Sequence, residues 1–385
     1  MPAHENSKEL VELRKKIKDF IIDGDLLSPE KARETFDSLC LDVFRVQYAN
    51  IASYKKFCMQ KGASPDGVKN HRQIPAVPVQ AFKAGEIFLY SKNDIHMTFK
   101  TSGTSKANPG IAHFSESGTD LSSCAIVKNS MTYLFPDAAD TRFFLIAPPP
   151  AAAPNLTMVF GITEVMKNVG TYHGKHYMGK DGIKWAELFS DLEGTIGENV
   201  PATIIAPSFA MVFILDKMGA EKIAYKMPAG SRVLDAGGFK GRSREISRPE
   251  MVAAIGEKFS IPAGYCVNTL GMSELGTQYY DNNLKNLVAG LSAPTNKENP
   301  HWARTYIADP ENGFELIEPG ESSKTGALVH FDLTDIDRAL AIVTDDLGRY
   351  SGSGFEMLGR FTPGDLKGCS LTIEEMLTGR QINEP

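Results

Sequence analysis

The spacing of apolar positions along this chain changes near residue 98. Before that point it is helical. Phe36, Leu39, Cys40, Val43 and Phe44 recur at intervals of one, three and four residues, which lines one face of a helix. Ser28, Pro29 and Glu30 mark its start: a capping hydroxyl, then a proline where no amide donor is needed. Gly62 and the run Ser64-Pro65-Asp66-Gly67 close the region, and Ile74 to Pro78 must be extended because each proline disfavours helix in the residue before it. From Thr98 onward, short apolar runs alternate with helical patterns. Phe143 to Ala147, Thr203 to Ala206, Ser231 to Leu234 and Cys266 to Leu270 read as buried strands. Prolines 148, 149 and 150 turn the chain after the first, and Pro207-Ser208 opens a helix carrying Phe209, Val212, Phe213 and Leu215 after the second. A last short strand is expected at Leu340 to Val343, followed by a glycine-rich tail. Strands alternating with helices define an α/β protein with extended sheets.

Composition narrows the function. With 385 residues the chain can bury a large core in two or three lobes. Its formal net charge of −6 leaves no basic surplus to neutralise phosphates, so a nucleic-acid partner is not expected. The five cysteines, Cys40, Cys58, Cys124, Cys266 and Cys369, form no C-x-x-C pair and are odd in number, which argues for reduced thiols and a cytoplasmic location. No apolar run is long enough to span a bilayer, and the polar start Met1-Pro2-Ala3-His4-Glu5 is not a signal peptide.

Five segments carry chemistry. Thr101, Ser102, Gly103, Thr104, Ser105 and Lys106 place hydroxyls and a cation around a glycine, a wrap suited to phosphate oxygens, although the Walker spacing is absent. Gly271, Met272, Ser273 and Glu274 follow an expected strand; the glycine admits a ligand close to the backbone, and Glu274 is a hard oxygen ligand suited to Mg²⁺. Thr344-Asp345-Asp346-Leu347-Gly348 puts carboxylates at the end of a strand, where one can accept both hydroxyls of a ribose. Arg360 follows and can reach a phosphate, while Gly237 and Gly238 allow a flat base to lie against backbone. Each segment alone is also an ordinary turn. The pair His173 and His176 suggests a metal, but a glycine lies between them and no acidic ligand adjoins, so a loop is expected there. Met158, Phe160, Phe209, Met211 and Phe213 are candidates for an acyl pocket or for plain core.

Taken in order, these segments resemble the adenylate-forming superfamily of acyl and aryl ligases. The resemblance implies an α/β fold: the large N-terminal domain of such enzymes, with layered sheets and helices. It implies ATP and Mg²⁺ as cofactors and a carboxylic acid as substrate. Thr101 to Lys106 would hold the β- and γ-phosphates, Gly238 would line the adenine, and Ser273 and Glu274 would contact the α-phosphate and Mg²⁺. Asp346 would bind the ribose and Arg360 the nucleotide. Asp345 replaces the usual glycine before Asp346, which leaves the role of Asp346 intact. Superfamily members normally carry a C-terminal lid with a catalytic lysine; here the lid is expected to be reduced to a short segment. The domains implied are a mainly helical region over 1–97, an ATP- and acid-binding core over 98–348, and a short segment over 349–385.

A closer resemblance accounts for that reduction. Val43 to Tyr48, Tyr54 to Cys58, Ile74 to Lys83 and the tail Leu366 to Leu371 are similar to the acyl-protein synthetases of bacterial bioluminescence. In that family a cysteine near the C-terminus receives the acyl group, and a partner reductase takes it over; Cys369 is the matching residue. Lys367 nearby favours a thiolate, and Gly364 and Gly368 would let the segment swing. Two other readings remain: a coenzyme A or carrier-protein ligase of the phenylacetate type, and a nucleotide-binding partner of a reductase complex.

Overall fold

The computed structural model describes residue 5 and residues 7–84, 87–100, 110–169, 174–238 and 243–361. The chain forms two compact units. The first holds the residues up to Ala125, the segment Met272–Thr277 and the chain from Lys297 on; the second holds Ile126–Gly271 and Gln278–Asn296.

The first unit begins with the helices Lys8–Asp23, Pro29–Asn50 and Ala52–Gln60. Ser28 caps the second as its sequence requires, its hydroxyl accepting from the Lys31 amide at 3.2 Å, and Phe36, Leu39, Cys40, Val43 and Phe44 are all buried along one face. The same unit contains a seven-stranded sheet. Its order is Lys297–Glu298, Gly354–Arg360, Ala341–Ser351, Gly326–Asp332, Ala303–Asp309 and Glu315–Leu316, with Val77–Pro78 lying parallel to Ala341–Ser351. Gly326–Asp332 is buried at every position, as a strand covered on both faces must be.

The strand expected at Leu340 to Val343 is longer than its apolar run. It extends from Ala341 to Ser351, and Gly354–Arg360 returns beside it where a tail was expected. Beyond Val343 its residues alternate between buried and partly exposed, so the continuous apolar signal ends while the pairing goes on. Asp345 and Asp346 therefore lie inside a strand and not at its end.

The second unit is built on a six-stranded sheet. Its order is Tyr279–Tyr280, Cys266–Leu270, Arg232–Ala236, Ala202–Pro207, Arg142–Leu145 and Lys175–His176. All pairings are parallel except that of Tyr279–Tyr280. Successive residues of each strand feed opposite cores. Phe144, Ile204 and Val233 join Met211 and Met251 in one, whereas Phe143, Ile205 and Leu234 join Val159 and Tyr280 in the other. The helices Ser208–Glu221 and Arg248–Phe259 supply the first core, and Thr157–Asn168 the second. The two groups of acyl-pocket candidates divide accordingly: Phe209 and Met211 belong to one face, Met158 and Phe160 to the other, and Phe213 is exposed.

Candidate active site

Thr101 to Lys106 and Cys369 lie outside the described residues, as does His173. The strands Met97–Lys100 and Ile111–Phe114 pair on either side of the phosphate-loop sequence, with Lys100 opposite Ile111.

Glu274 is one of the buried acids of the first unit. It is 2 % exposed, and its Oε2 has no hydrogen-bond partner among the described residues. Burial pushes its carboxyl up to about 7; its own backbone amide and the charges of Lys83, Arg338 and Arg360 oppose that rise. A buried carboxylate with an unused oxygen has the chemistry a hard divalent cation completes, so the donor set fits Mg²⁺. Ser273 beside it is buried as well, and Met272 is half-buried at the start of the segment. Among the described residues no cluster of three or more metal-ligating side chains occurs.

The hairpin Ala341–Ser351/Gly354–Arg360 sets Asp346 directly opposite Arg360. Arg360 Nε donates to Asp346 Oδ1 at 2.9 Å; the aspartate side chain is buried, whereas the arginine is 70 % exposed. Burial raises the Asp346 carboxyl, and the Arg360 guanidinium counteracts it. An exposed guanidinium on a buried carboxylate leaves most of its donors facing outward, available to a phosphate. Further back along the same edge of that strand, Val79 N donates to the Val343 carbonyl at 2.9 Å and the Gln80 amide donates to Asp345. This pairing carries Lys83 into the group of charges acting on Glu274. Lys83, in the short helix Ala81–Ala84, was legible only within the Ile74 to Lys83 stretch of the family resemblance; the prolines there imply extended backbone over Ile74 to Pro78 but not its distant partner.

In the second unit, Gly237 and Gly238 follow the strand Arg232–Ala236 and are exposed. Gly237 has φ of 69°, a conformation that favours glycine, and a Cβ at either position would meet nothing among the described residues within 4 Å. Bare glycine backbone suits a flat ring. The strip is tethered from behind: Ser208 Oγ lies 2.8 Å from both Asp235 Oδ2 and the Gly237 carbonyl oxygen, and Asn268 Nδ2 donates to Asp235 at 2.9 Å. Gly271, exposed, ends the Cys266–Leu270 strand.

The four cysteines among the described residues form no disulfide with one another. Cys40, Cys58 and Cys266 are buried, and burial raises the thiols of all three, to about 12 for Cys58 and Cys266. They are core residues and poor nucleophiles.

The fold is that of the adenylate-forming ligases. It is similar to 2-hydroxyisobutyryl-CoA ligase in complex with 2-HIB-AMP and CoA in the thioesterification state, with a TM-score of 0.65, 13% identity, and coverage of 84% of this chain and 65% of that one. The open conformation of that ligase gives a TM-score of 0.61 at 14% identity, over 85% and 76% of the two chains. The particular family follows from the sequence. Residues 3–378 match the family described as Acyl-protein synthetase, LuxE, and the chain belongs to it. Relatives include the long-chain-fatty-acid–luciferin-component ligase of Aliivibrio fischeri, 21% identical over 363 residues and 90% of each chain. That of Vibrio harveyi is 20% identical over 367 residues, covering 92% of this chain and 91% of its own. The chain is thus an enzyme of the acid-ligase class.

If Arg360 contacts a phosphate, replacing it with alanine is expected to raise the KM for ATP about tenfold, with a smaller effect on kcat. Steady-state pyrophosphate release checks this, and an unchanged KM would remove Arg360 from the nucleotide site.

Proposed function

We propose that the enzyme activates a long-chain fatty acid with ATP and Mg²⁺, forming an acyl-adenylate and pyrophosphate, and then moves the acyl group to the thiol of Cys369. The observation that carries this reading is the buried, unpartnered oxygen of Glu274 in the unit that also holds the Asp346–Arg360 pair. In the first step the acid's carboxylate oxygen attacks the α-phosphorus and pyrophosphate departs. Mg²⁺, when bound, neutralises phosphate charge and fixes the phosphates for in-line displacement. Glu274 would hold the cation, and Ser273 would hydrogen-bond the α-phosphate. Asp346 would accept the ribose hydroxyls, and Arg360 with Thr101 to Lys106 would bind phosphate oxygens. Gly237 and Gly238 would lie under the adenine, and Gly271 and Met272 would border the nucleotide. In the second step the Cys369 thiolate attacks the acyl carbon, AMP leaves, and a thioester remains. A partner acyl reductase would consume that thioester in the cytoplasm.

Screening fatty acids of increasing length by ATP–pyrophosphate exchange tests the first step. A chain-length optimum supports the reading; no exchange with any carboxylic acid would remove it.

A further inference from the structure

The segment bearing Glu274 is held by a buried device that none of the sequence motifs contains. After Glu274 the chain passes through Gly276 and Thr277, and two adjacent backbone amides there are taken by two aspartates. Gly276 N donates to Asp335 Oδ1 at 2.9 Å, and Thr277 N donates to Asp332 Oδ2 at 2.9 Å. The Thr277 hydroxyl donates to Asp332 Oδ1 at 2.9 Å and accepts from the Trp302 indole at 3.0 Å. Asp332 also accepts from the amide and hydroxyl of Thr334, at 3.0 and 2.7 Å. The turn Leu333–Asp335 is fixed in its own right. Gln47, on the helix Pro29–Asn50, donates to the carbonyls of Asp335 and Ile336 at 2.9 and 3.1 Å and accepts from Leu340 N at 3.0 Å. Arg338, fully buried, pairs with Asp335 and stacks over Phe114 at 3.6 Å. Gly276 is packed so closely that a Cβ there would meet Thr334 Oγ1 at 2.3 Å and Ser122 Oγ at 2.6 Å.

Burying carboxylates is costly, and apolar side chains would satisfy a fold more cheaply. What the aspartates provide is directional: two anchor points on consecutive amides, two residues beyond Glu274. We propose that Asp332 and Asp335, through Gly276 and Thr277, are positioning residues that hold the Glu274 carboxylate in its metal-binding pose. The proposal rests on the reading of Glu274 as the metal ligand. Supporting groups of this kind are worth about 10- to 100-fold in metal affinity.

The test compares Thr277→Val, which keeps the shape and loses the hydroxyl, with Thr277→Ser, which restores it. Mn²⁺ is titrated onto the full-length protein with ATP and followed by electron paramagnetic resonance, alongside the Mg²⁺ dependence of pyrophosphate exchange. The valine variant is expected to bind Mn²⁺ about tenfold more weakly and to need about tenfold more Mg²⁺, and the serine variant to stay within about twofold of wild type. A valine variant that melts lower yet keeps wild-type metal dependence would reduce the network to a structural role and overturn the proposal. Should Thr277→Val not fold, Asp332→Asn, which keeps one accepting oxygen, carries the same comparison. Wild-type protein that binds no Mn²⁺ and exchanges no pyrophosphate would overturn the Glu274 reading itself, a distinct outcome.

Discussion

Glu274→Gln is expected to lose pyrophosphate exchange by about a hundredfold or more and at the same time to melt higher than wild type at pH 8. Glutamine keeps the volume but cannot hold a cation by charge. The stability gain follows from the sign of the shift. Burial moves the Glu274 carboxyl from an ordinary 4.5 to about 7 in the folded protein. Well below pH 4.5 both states are protonated and no penalty exists. As pH rises toward 7 the unfolded chain releases its proton first, so stability is lost across that window and stays lost above it. The 2.5-unit difference between 4.5 and about 7 corresponds to roughly 3 kcal/mol as an upper figure. Glutamine escapes this penalty, so melting curves of the two proteins should converge below about pH 4 and separate at pH 8. Exchange near the wild-type rate would show that Glu274 does not hold the metal. A variant no more stable than wild type at pH 8 would show that the buried carboxylate is relieved in some other way.

Cys369→Ser is expected to abolish a protein-bound acyl label that neutral hydroxylamine cleaves, while leaving pyrophosphate exchange intact. Serine would form at most an oxygen ester, which resists that reagent. The structure narrows the control set. With thiols raised to about 12, Cys58 and Cys266 carry thiolate at only about one part in 10⁵ at neutral pH, and Cys40 is raised in the same direction by the same cause. Serine at these positions should retain the label, and half-buried Cys124 is the informative control. Labelling of Cys369→Ser at the wild-type level, or full transfer to coenzyme A in that variant, would assign the acyl group to another acceptor.

Much of the scaffold was legible because local chemistry decides it. The Ser28 cap, the buried face of Pro29–Asn50 and the strands Ala202–Pro207 and Cys266–Leu270 follow from capping, periodicity and apolar runs. The strand Ala303–Asp309 is not legible in the pattern because Arg304, Thr305 and Tyr306 interrupt any apolar run, and its pairing with Gly326–Asp332 supplies what the sequence does not show. Glu274 was legible as a motif residue, yet its isolation depends on burial by elements far along the chain. The Asp332–Arg338 cluster could not be read at all. Gln47 meets Leu340 across 293 positions, and no local pattern records such a contact.

The parallel pairing of Val77–Pro78 with Ala341–Ser351 also dictates an order of events during synthesis. The second unit occupies one stretch of chain, Ile126 to Asn296, interrupted only by Met272–Thr277. It can therefore close its sheet soon after it leaves the ribosome. The first unit cannot: Val77, fully buried at the end, must wait for strands made after residue 297. During that interval the apolar faces of the N-terminal helices have no sheet to cover them, the circumstance in which nascent chains aggregate or recruit chaperones. Chains released before Ala341 would hold a finished second unit and an unfinishable first one.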